Sequence, residues 1–372
     1  MSQTTLYGTP VSLYTGNVRS YLIKAGIDYR ETTFGSAHYR DVVLPKAGGR
    51  QGVPTIELGD GTVIRDGAAI IDHFETTSGH AFSPKSPKQR ILSRLFDVIG
   101  SDGLLRPALH YRWSFPEENG EFLSFHFESI MSHGPERSEL GAIATAGAKA
   151  FGNAIGVAPE TMELIESLYL EFLDKLNSHF SQHPYLLGGK PCIGDFGMLR
   201  PLYAHLGRDP KPLSIMQGNA IRVFRWVERM NRPEPDVGEF ETQSDAYLSD
   251  DQVADGLIDL LKHIAIDFIP ETRAAADCIN QWIDNQQELA PGTPIPRGVG
   301  MGSFTIRGVT INALAQPYRF FLLKRVQDEF ALLDDASQQE VQTLLAACDM
   351  SEALNIRLTR EVGLSSNLEV WL

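Results

Sequence analysis

The order of elements in the first eighty residues constrains this chain more than any other feature. Residues 4–9 read as a short strand that Pro10 ends. Residues 17–25 place Val18, Tyr21, Leu22 and Ala25 on one helical face, and Gly26 fits the position just past a helix end. Residues 28–34 read as a second strand. Strand, helix, strand over so short a stretch requires a crossover, so the two strands are expected to be parallel. Two β-rich runs, 52–58 and 62–64, then flank Gly59-Asp60-Gly61 as a hairpin would. A helix carrying Ala68, Ile70, Ile71 and Phe74 follows. Ser83-Pro84-Lys85-Ser86-Pro87 has the composition of a linker.

Beyond the linker the pattern turns helical. Residues 88–112, 160–180, 193–206 and 219–230 repeat their apolar residues at helical spacing, and the Gly- and Ala-rich stretch 133–158 reads as a further helix. A Pro-rich break at 232–240 precedes two expected helices, 250–268 and 271–288. A Pro/Gly-rich loop at 290–302 leads to an alternating hairpin at 304–311, and helices at 313–333 and 337–348 close the pattern. No internal repeat is visible. A chain of 372 residues is long enough for two or three domains.

Charge supports a division. The formal net charge is −14, yet residues 236–372 hold 22 acidic and only 9 basic side chains, while residues 1–235 are nearly balanced. So acidic a surface disfavours nucleic acid and anionic membrane as partners. No run of about 18 apolar residues suggests a membrane span, and the first residues lack the basic and apolar regions of a secretory signal. Cys192, Cys278 and Cys348 are scattered and odd in number, as expected of free thiols in the cytoplasm.

Three segments together resemble the glutathione transferase family. Leu6-Tyr-Gly-Thr-Pro-Val-Ser-Leu-Tyr-Thr-Gly-Asn-Val-Arg19 is similar to its first strand, active-site loop and first helix. Gly52-Val-Pro-Thr-Ile56 with Asp66-Gly-Ala-Ala-Ile-Ile71 resembles its glutathione-binding signature. Tyr185-Leu-Leu-Gly-Gly-Lys-Pro-Cys-Ile-Gly-Asp-Phe196 is similar to a helix-start motif of its helical domain. The resemblance covers residues 4 to about 231. It implies a thioredoxin-like α/β domain (1–82) and an all-α domain (88–235), followed by an acidic, mostly helical α+β extension (236–372) foreign to the family core. It also implies glutathione as co-substrate, no metal, a small-molecule electrophile and a homodimer.

The residues can be read for chemistry beside this. A tripeptide thiol must be held by its backbone, its charged ends and its sulfur. A cis bond before Pro54 would turn the Val53 backbone outward as an edge to which a peptide can add; the alternative is a plain turn. Asp66 and Gly67 head a helix, where a carboxylate can meet the γ-glutamyl ammonium and the helix N-terminus its carboxylate, although Asp66 also suits a cap. Gly67 replaces the Ser usual in the family and removes a hydroxyl. Arg65, Gln51 and Lys46 are candidates for the glutathione carboxylates. Ser12 falls where serine-type members place the hydroxyl that favours the thiolate, with a helix cap as its other reading. No Cys stands there, which argues against mixed-disulfide chemistry. Tyr14 is expected as a wall of the site, and Tyr7 is set aside. The aromatic cluster His110, Tyr111, Trp113 and Phe115 is the candidate wall for an apolar or aromatic electrophile, with core packing as its alternative.

Asp195 reads as a folding residue, reaching back to the backbone of Cys192. The stripe Asp251, Asp255, Asp259, His263, Asp267 reads as a solvated helix face rather than a metal site. The expected activity is thiolate attack on an electrophilic carbon. The alternative is a non-catalytic binding module whose acidic extension engages a partner.

Overall fold

The computed structural model describes residues 3–131, 134–233 and 239–372. The middle of the expected break, 234–238, lies outside the described residues. The first unit comprises β1 (Thr4–Tyr7), α1 (Leu13–Lys24), β2 (Tyr29–Thr32), the short α2 (Leu44–Lys46), β3 (Thr55–Glu57), β4 (Val63–Arg65) and α3 (Gly67–Thr77). Its sheet order is β2-β1-β3-β4, with β1 parallel to β2 and the β1–β3 and β3–β4 pairs antiparallel. The expected crossover is therefore present. Helix α1 begins four residues earlier than the apolar spacing suggests, because the Ser12 hydroxyl accepts the Thr15 N–H at 3.2 Å and caps it.

The helical unit comprises α4 (Pro87–Val98), α5 (Leu105–Trp113), α6 (Pro116–Ser129), α7 (Arg137–Ala154), α8 (Met162–His179), α9 (Ile193–Ala204), α10 (Pro210–Asn219) and α11 (Ile221–Met230). What reads as one helix over 88–112 is two, joined by a π-helical turn at Ile99–Gly103. Sequence reading missed α6 and α10, whose apolar faces are narrow. Helix α9 is buried among α1, α4 and α11. Its close approach to the π-turn requires glycine: a Cβ on Gly100 would lie 2.2 Å from the Gly197 carbonyl oxygen. Asp195 is fully buried at the start of α9. It accepts the Leu186 N–H at 3.1 Å, the Cys192 N–H at 2.9 Å and the Trp226 indole N–H at 3.0 Å.

The extension comprises α12 (Asp255–Asp284), a β5 (Met301–Ile306)–β6 (Val309–Leu314) hairpin, α13 (Tyr318–Ala331), α14 (Asp335–Ala347) and a second hairpin, β7 (Val362–Ser365)–β8 (Leu368–Trp371). Two expected helices are one 30-residue helix, α12, that runs through Pro270. Pro270 deprives the Ile266 carbonyl of its donor, and Ile266 lies on the exposed side of the helix. The expected solvated stripe is not uniformly solvated. Asp255 and Asp259 are exposed, but Asp251 caps α4 by accepting the Lys88 and Gln89 N–H groups at 2.7 and 3.0 Å. Asp267 pairs with buried Arg106 at 2.8 Å, and His263 is buried.

Helices α13 and α14 lie along α4, and one hydrophobic core runs from Leu6 to Trp371. The extension also reaches the first unit. Glu369 on β8 takes both carboxylate oxygens to Arg65 Nη2 at 2.7 Å. Asn367, in the hairpin turn, accepts the Arg65 N–H through Oδ1 at 3.1 Å and donates to the Lys46 and Val63 carbonyls at 2.9 Å.

Two stability tests follow. Asp195→Ala leaves three buried N–H donors without an acceptor, each costing about 1–3 kcal/mol, so urea denaturation should show a loss of about 3 kcal/mol or more; a smaller loss would mean that water replaces the carboxylate. Glu369→Ala strips a buried guanidinium of its partner, an effect of about 3–5 kcal/mol. The variant should unfold at lower urea, and its C-terminal hairpin should become the first site of limited proteolysis. An unchanged digestion pattern would show that the pair does not hold the hairpin.

Candidate functional site

Between the first unit and the extension lies a cleft of about 490 Å³. One side comprises Ser12, Tyr14, Phe34, Arg50, Gln51, Gly52, Val53, Pro54, Arg65 and Asp66. The other comprises Asp102 of the π-turn with Ile295, Pro296, Arg297, Gln316, Tyr318 and Glu369 of the extension. Most of the residues singled out from sequence in the first unit thus meet in one place.

The loop before α1 is anchored from the helical unit. Arg112 is buried in a bidentate pair with Asp209 at 2.6 and 2.9 Å, and its Nη1 donates to the Val11 carbonyl at 3.0 Å. Arg208 donates to the Pro10 carbonyl. Ser12 is held next to these carbonyls. Its oxygen accepts from Thr15, so its own proton is not needed for the cap and is left to donate. Tyr14 forms part of the wall, and burial pushes its phenol pKa well up.

The Val53–Pro54 bond is cis. Among the described residues, the Val53 N–H and C=O have no hydrogen-bond partner. Asp66 heads α3 at φ 85°, a left-handed conformation uncommon for a non-glycine residue. Its Oδ1 accepts the Ala68 and Ala69 N–H groups at 2.9 and 3.1 Å, and its Oδ2 accepts the Tyr318 hydroxyl at 2.6 Å. Burial raises its pKa, against the lowering effect of the Tyr318 bond. Cap and cleft roles therefore coincide in one carboxylate.

Other expectations need correction. Arg65 lines the cleft, but its Nε donates to the Asn367 carbonyl at 2.7 Å and its Nη2 to Glu369, so much of its donor fork is engaged by the extension. Lys46 donates to the Gly61 carbonyl at 2.8 Å and does not line the cleft. Gly67 is buried against Asn17 and Val18, behind the cleft surface. His110, Tyr111 and Trp113 also stand away from it. Helix α5 turns into the bundle after the π-turn. His110 bonds Glu166 at 2.9 Å, Tyr111 packs 5.1 Å from the Tyr169 ring, and Trp113 packs 5.7 Å from Phe127. His110 and Tyr111 are core, while Trp113 and Phe115 are half-buried against it. Tyr7 likewise points to the other side of the sheet, donating to Glu57 at 3.0 Å.

The opposite wall was not legible from sequence. Asp102, Arg297, Gln316, Tyr318 and Glu369 come from segments that the sequence marks only as helix, loop or chain end. One signal was available for the last of these. Val362 and Leu364 alternate on one side of Ser366-Asn367, Leu368 and Val370 on the other, and both turn residues have positive φ. Arg297 is exposed at the cleft rim, with no ion pair among the described residues. Arg50 contacts Glu369 at 3.5 Å and the Ile295 carbonyl at 3.4 Å.

Comparison with known proteins agrees with the fold of the first unit. Residues 6–84 match the family model described as the glutathione S-transferase N-terminal domain. No curated protein matches the chain. Similar solved structures include a beta-etherase from Sphingobium sp. strain SYK-6, 14% identical over 62% of this chain and 95% of that one, with a TM-score of 0.42. A theta class glutathione S-transferase from Xanthomonas axonopodis pv. citri, with glutathione bound, is 17% identical over 62% of this chain and 92% of its own, with a TM-score of 0.36. A GST-like protein from Pseudomonas syringae is 15% identical over 84% and 96%, with a TM-score of 0.44. Residues 6–84 of this chain thus match a glutathione S-transferase N-terminal domain.

Proposed function

We propose that this protein is a glutathione transferase that binds glutathione in the cleft and activates its thiol through Ser12. One observation carries the reading. The Ser12 hydroxyl, with its proton uncommitted, stands at the N-terminus of α1 in the same cleft as the unpaired backbone of Val53 and the carboxylate of Asp66. The cleft volume of about 490 Å³ suits a ligand of tripeptide size.

Each part of the ligand has a complement. The free Val53 N–H and C=O can pair with the cysteinyl backbone as an added strand would. Asp66 offers its carboxylate to the γ-glutamyl ammonium, while the first turn of α3 favours the neighbouring carboxylate. Gln51, Arg50 and Arg297 border the cleft as donors for the second carboxylate, a role that Arg65 shares only through what the extension leaves of its fork. The sulfur then lies toward Ser12. A hydroxyl donor and the positive end of α1 both favour thiolate over thiol.

The demand on Ser12 is modest. A hydrogen bond to a charged group contributes about 1.5–3 kcal/mol, which is roughly one to two units of pKa. The free thiol titrates near 8.5, so a shift of that size makes much of the bound thiol thiolate at neutral pH. The reading also includes a homodimer in the cytoplasm and the three-part division 1–82, 88–235 and 236–372, in which the extension forms half of the site.

A non-catalytic binding module is the second reading. It is favoured by the engagement of Arg65 and Asp66 by Glu369 and Tyr318, which takes up groups that a ligand would use. Calorimetry with glutathione separates the two: saturable binding at millimolar concentration or below supports the transferase, and its absence leaves the module. Thiolate absorbance of the bound complex should then place the apparent thiol pKa of Ser12→Ala about one unit or more above that of the unaltered protein. Equal values would remove Ser12 from the role.

A further inference from the structure

The wall opposite Ser12 holds a carboxylate with no structural assignment. Asp102 lies in the π-helical turn between α4 and α5 and lines the cleft, yet is only 5% exposed. Its Oδ2 is sealed from solvent, and neither carboxylate oxygen has a hydrogen-bond partner among the described residues. The cations around it pair with other carboxylates, although the Arg200 Nε has no hydrogen-bond partner among the described residues. Arg200 of α9 pairs with Asp97 Oδ1 and carbonyl, each at 2.9 Å, and Arg319 of α13 pairs with Glu271 at 3.2 Å and Thr272 at 3.1 Å. A buried carboxylate without a partner is expensive as an anion, and turns of this type recur at functional sites.

We propose that Asp102 is the acid of the cleft, and that the second substrate is an electrophile whose oxygen receives the electron pair displaced when the glutathione sulfur attacks carbon. The inference rests on reading the cleft as a glutathione site. The thiol proton leaves to solvent as the thiolate forms. The sulfur pair makes the new C–S bond. In an α,β-unsaturated carbonyl the alkene pair moves toward the carbonyl, whose oxygen gains the charge; in an ether the C–O bond breaks and its pair stays on oxygen. The Asp102 proton passes to that oxygen in either case, and the resulting carboxylate takes a proton back from water. An electrophile that expels chloride needs no such proton.

Electrostatics are consistent with a proton held there. Burial raises the Asp102 pKa to about 6, with Glu271 of α12 and Asp97 of α4 acting in the same direction and Arg319 and Arg200 opposing. Tyr14 of α1, Asp66 at the head of α3, and Tyr318 and Arg297 of the extension share the cleft. None of them is hydrogen-bonded to the Asp102 carboxyl. The acid form is the donor, so its contribution is full below about pH 6 and declines as pH rises through that value.

The test compares the full-length protein with Asp102→Asn on two probes in the presence of glutathione: trans-2-nonenal, whose carbonyl oxygen gains charge, and 1-chloro-2,4-dinitrobenzene, which releases chloride. General acid assistance contributes on the order of 100-fold. The nonenal kcat/KM should therefore fall by tenfold or more relative to the aryl chloride kcat/KM. In the unaltered protein the ratio of the two should decline with rising pH through about 6, and in Asp102→Asn it should be flat. A 2,4-dinitrophenyl alkyl ether as a third probe distinguishes an ether-type from a carbonyl-type substrate. Glutathione affinity by calorimetry reports whether the variant is folded, with Asp102→Ala as the replacement if it is not. Equal losses on both probes, no loss on either, a pH-independent ratio, or bound glutathione without nonenal or ether turnover would each overturn the proposal. Failure of the unaltered protein to bind glutathione would instead overturn the transferase reading on which it rests.

Discussion

The buried pair between Arg65 and Glu369 is the constraint on which the arrangement of the site depends. Arg65 ends β4, the last strand of the N-terminal sheet, and stands directly before Asp66. Glu369 is three residues from the C-terminus. Both are largely withdrawn from solvent, so each requires the other: a lone guanidinium or carboxylate at that depth would carry an uncompensated charge. Asn367 extends the contact by satisfying the backbone of Arg65, Val63 and Lys46. The edge of the sheet is thereby stitched to the far end of the chain, and the cleft acquires its second wall.

This coupling changes the meaning of the acidic extension. Its surface charge reads as a solvated appendage, yet its inner face carries Tyr318 to Asp66, Arg325 to Asp72, and Asp267 and Glu271 to Arg106. Helices α13 and α14 cover α4, a helix that would otherwise expose its outer side. The cleft walls therefore come from segments separated by about the whole length of the chain. A single hydrophobic core running from Leu6 to Trp371 is the packing counterpart of that polar seam.

The chemistry proposed for the cleft follows from where polar groups are left incomplete. Most buried carboxylates here are satisfied: Asp195 by three N–H donors, Asp209 by Arg112, Glu271 by Arg106 and Arg319. Asp102 is not, and it faces the cleft. Ser12 likewise has a proton beyond what its cap requires. In the proposed reaction these two groups, on opposite walls, would act as the acid and the thiol-stabilising hydroxyl.

Local patterns made the N-terminal fold legible: the β-α-β order, the Gly-Asp-Gly turn and the Val-Pro and Asp-Gly positions are short-range features that a strand or helix needs whatever surrounds it. Ser12, Tyr14, Gln51, Val53, Pro54 and Asp66 could be picked out for the same reason, and the structure gathers them into one cleft. The aromatic run at 110–113 misled, because helical spacing marks which residues share a face but not what that face packs against. The π-turn at Ile99–Gly103 directs Asp102 to the cleft and lets α5 enter the bundle core. Sequence by itself determined the elements of the glutathione S-transferase N-terminal domain and the side of its site that those elements carry. Only the tertiary structure decided the opposite wall, because that wall is made by contacts such as Arg65–Glu369 and Asp66–Tyr318, which join residues hundreds of positions apart and leave no periodicity in either segment.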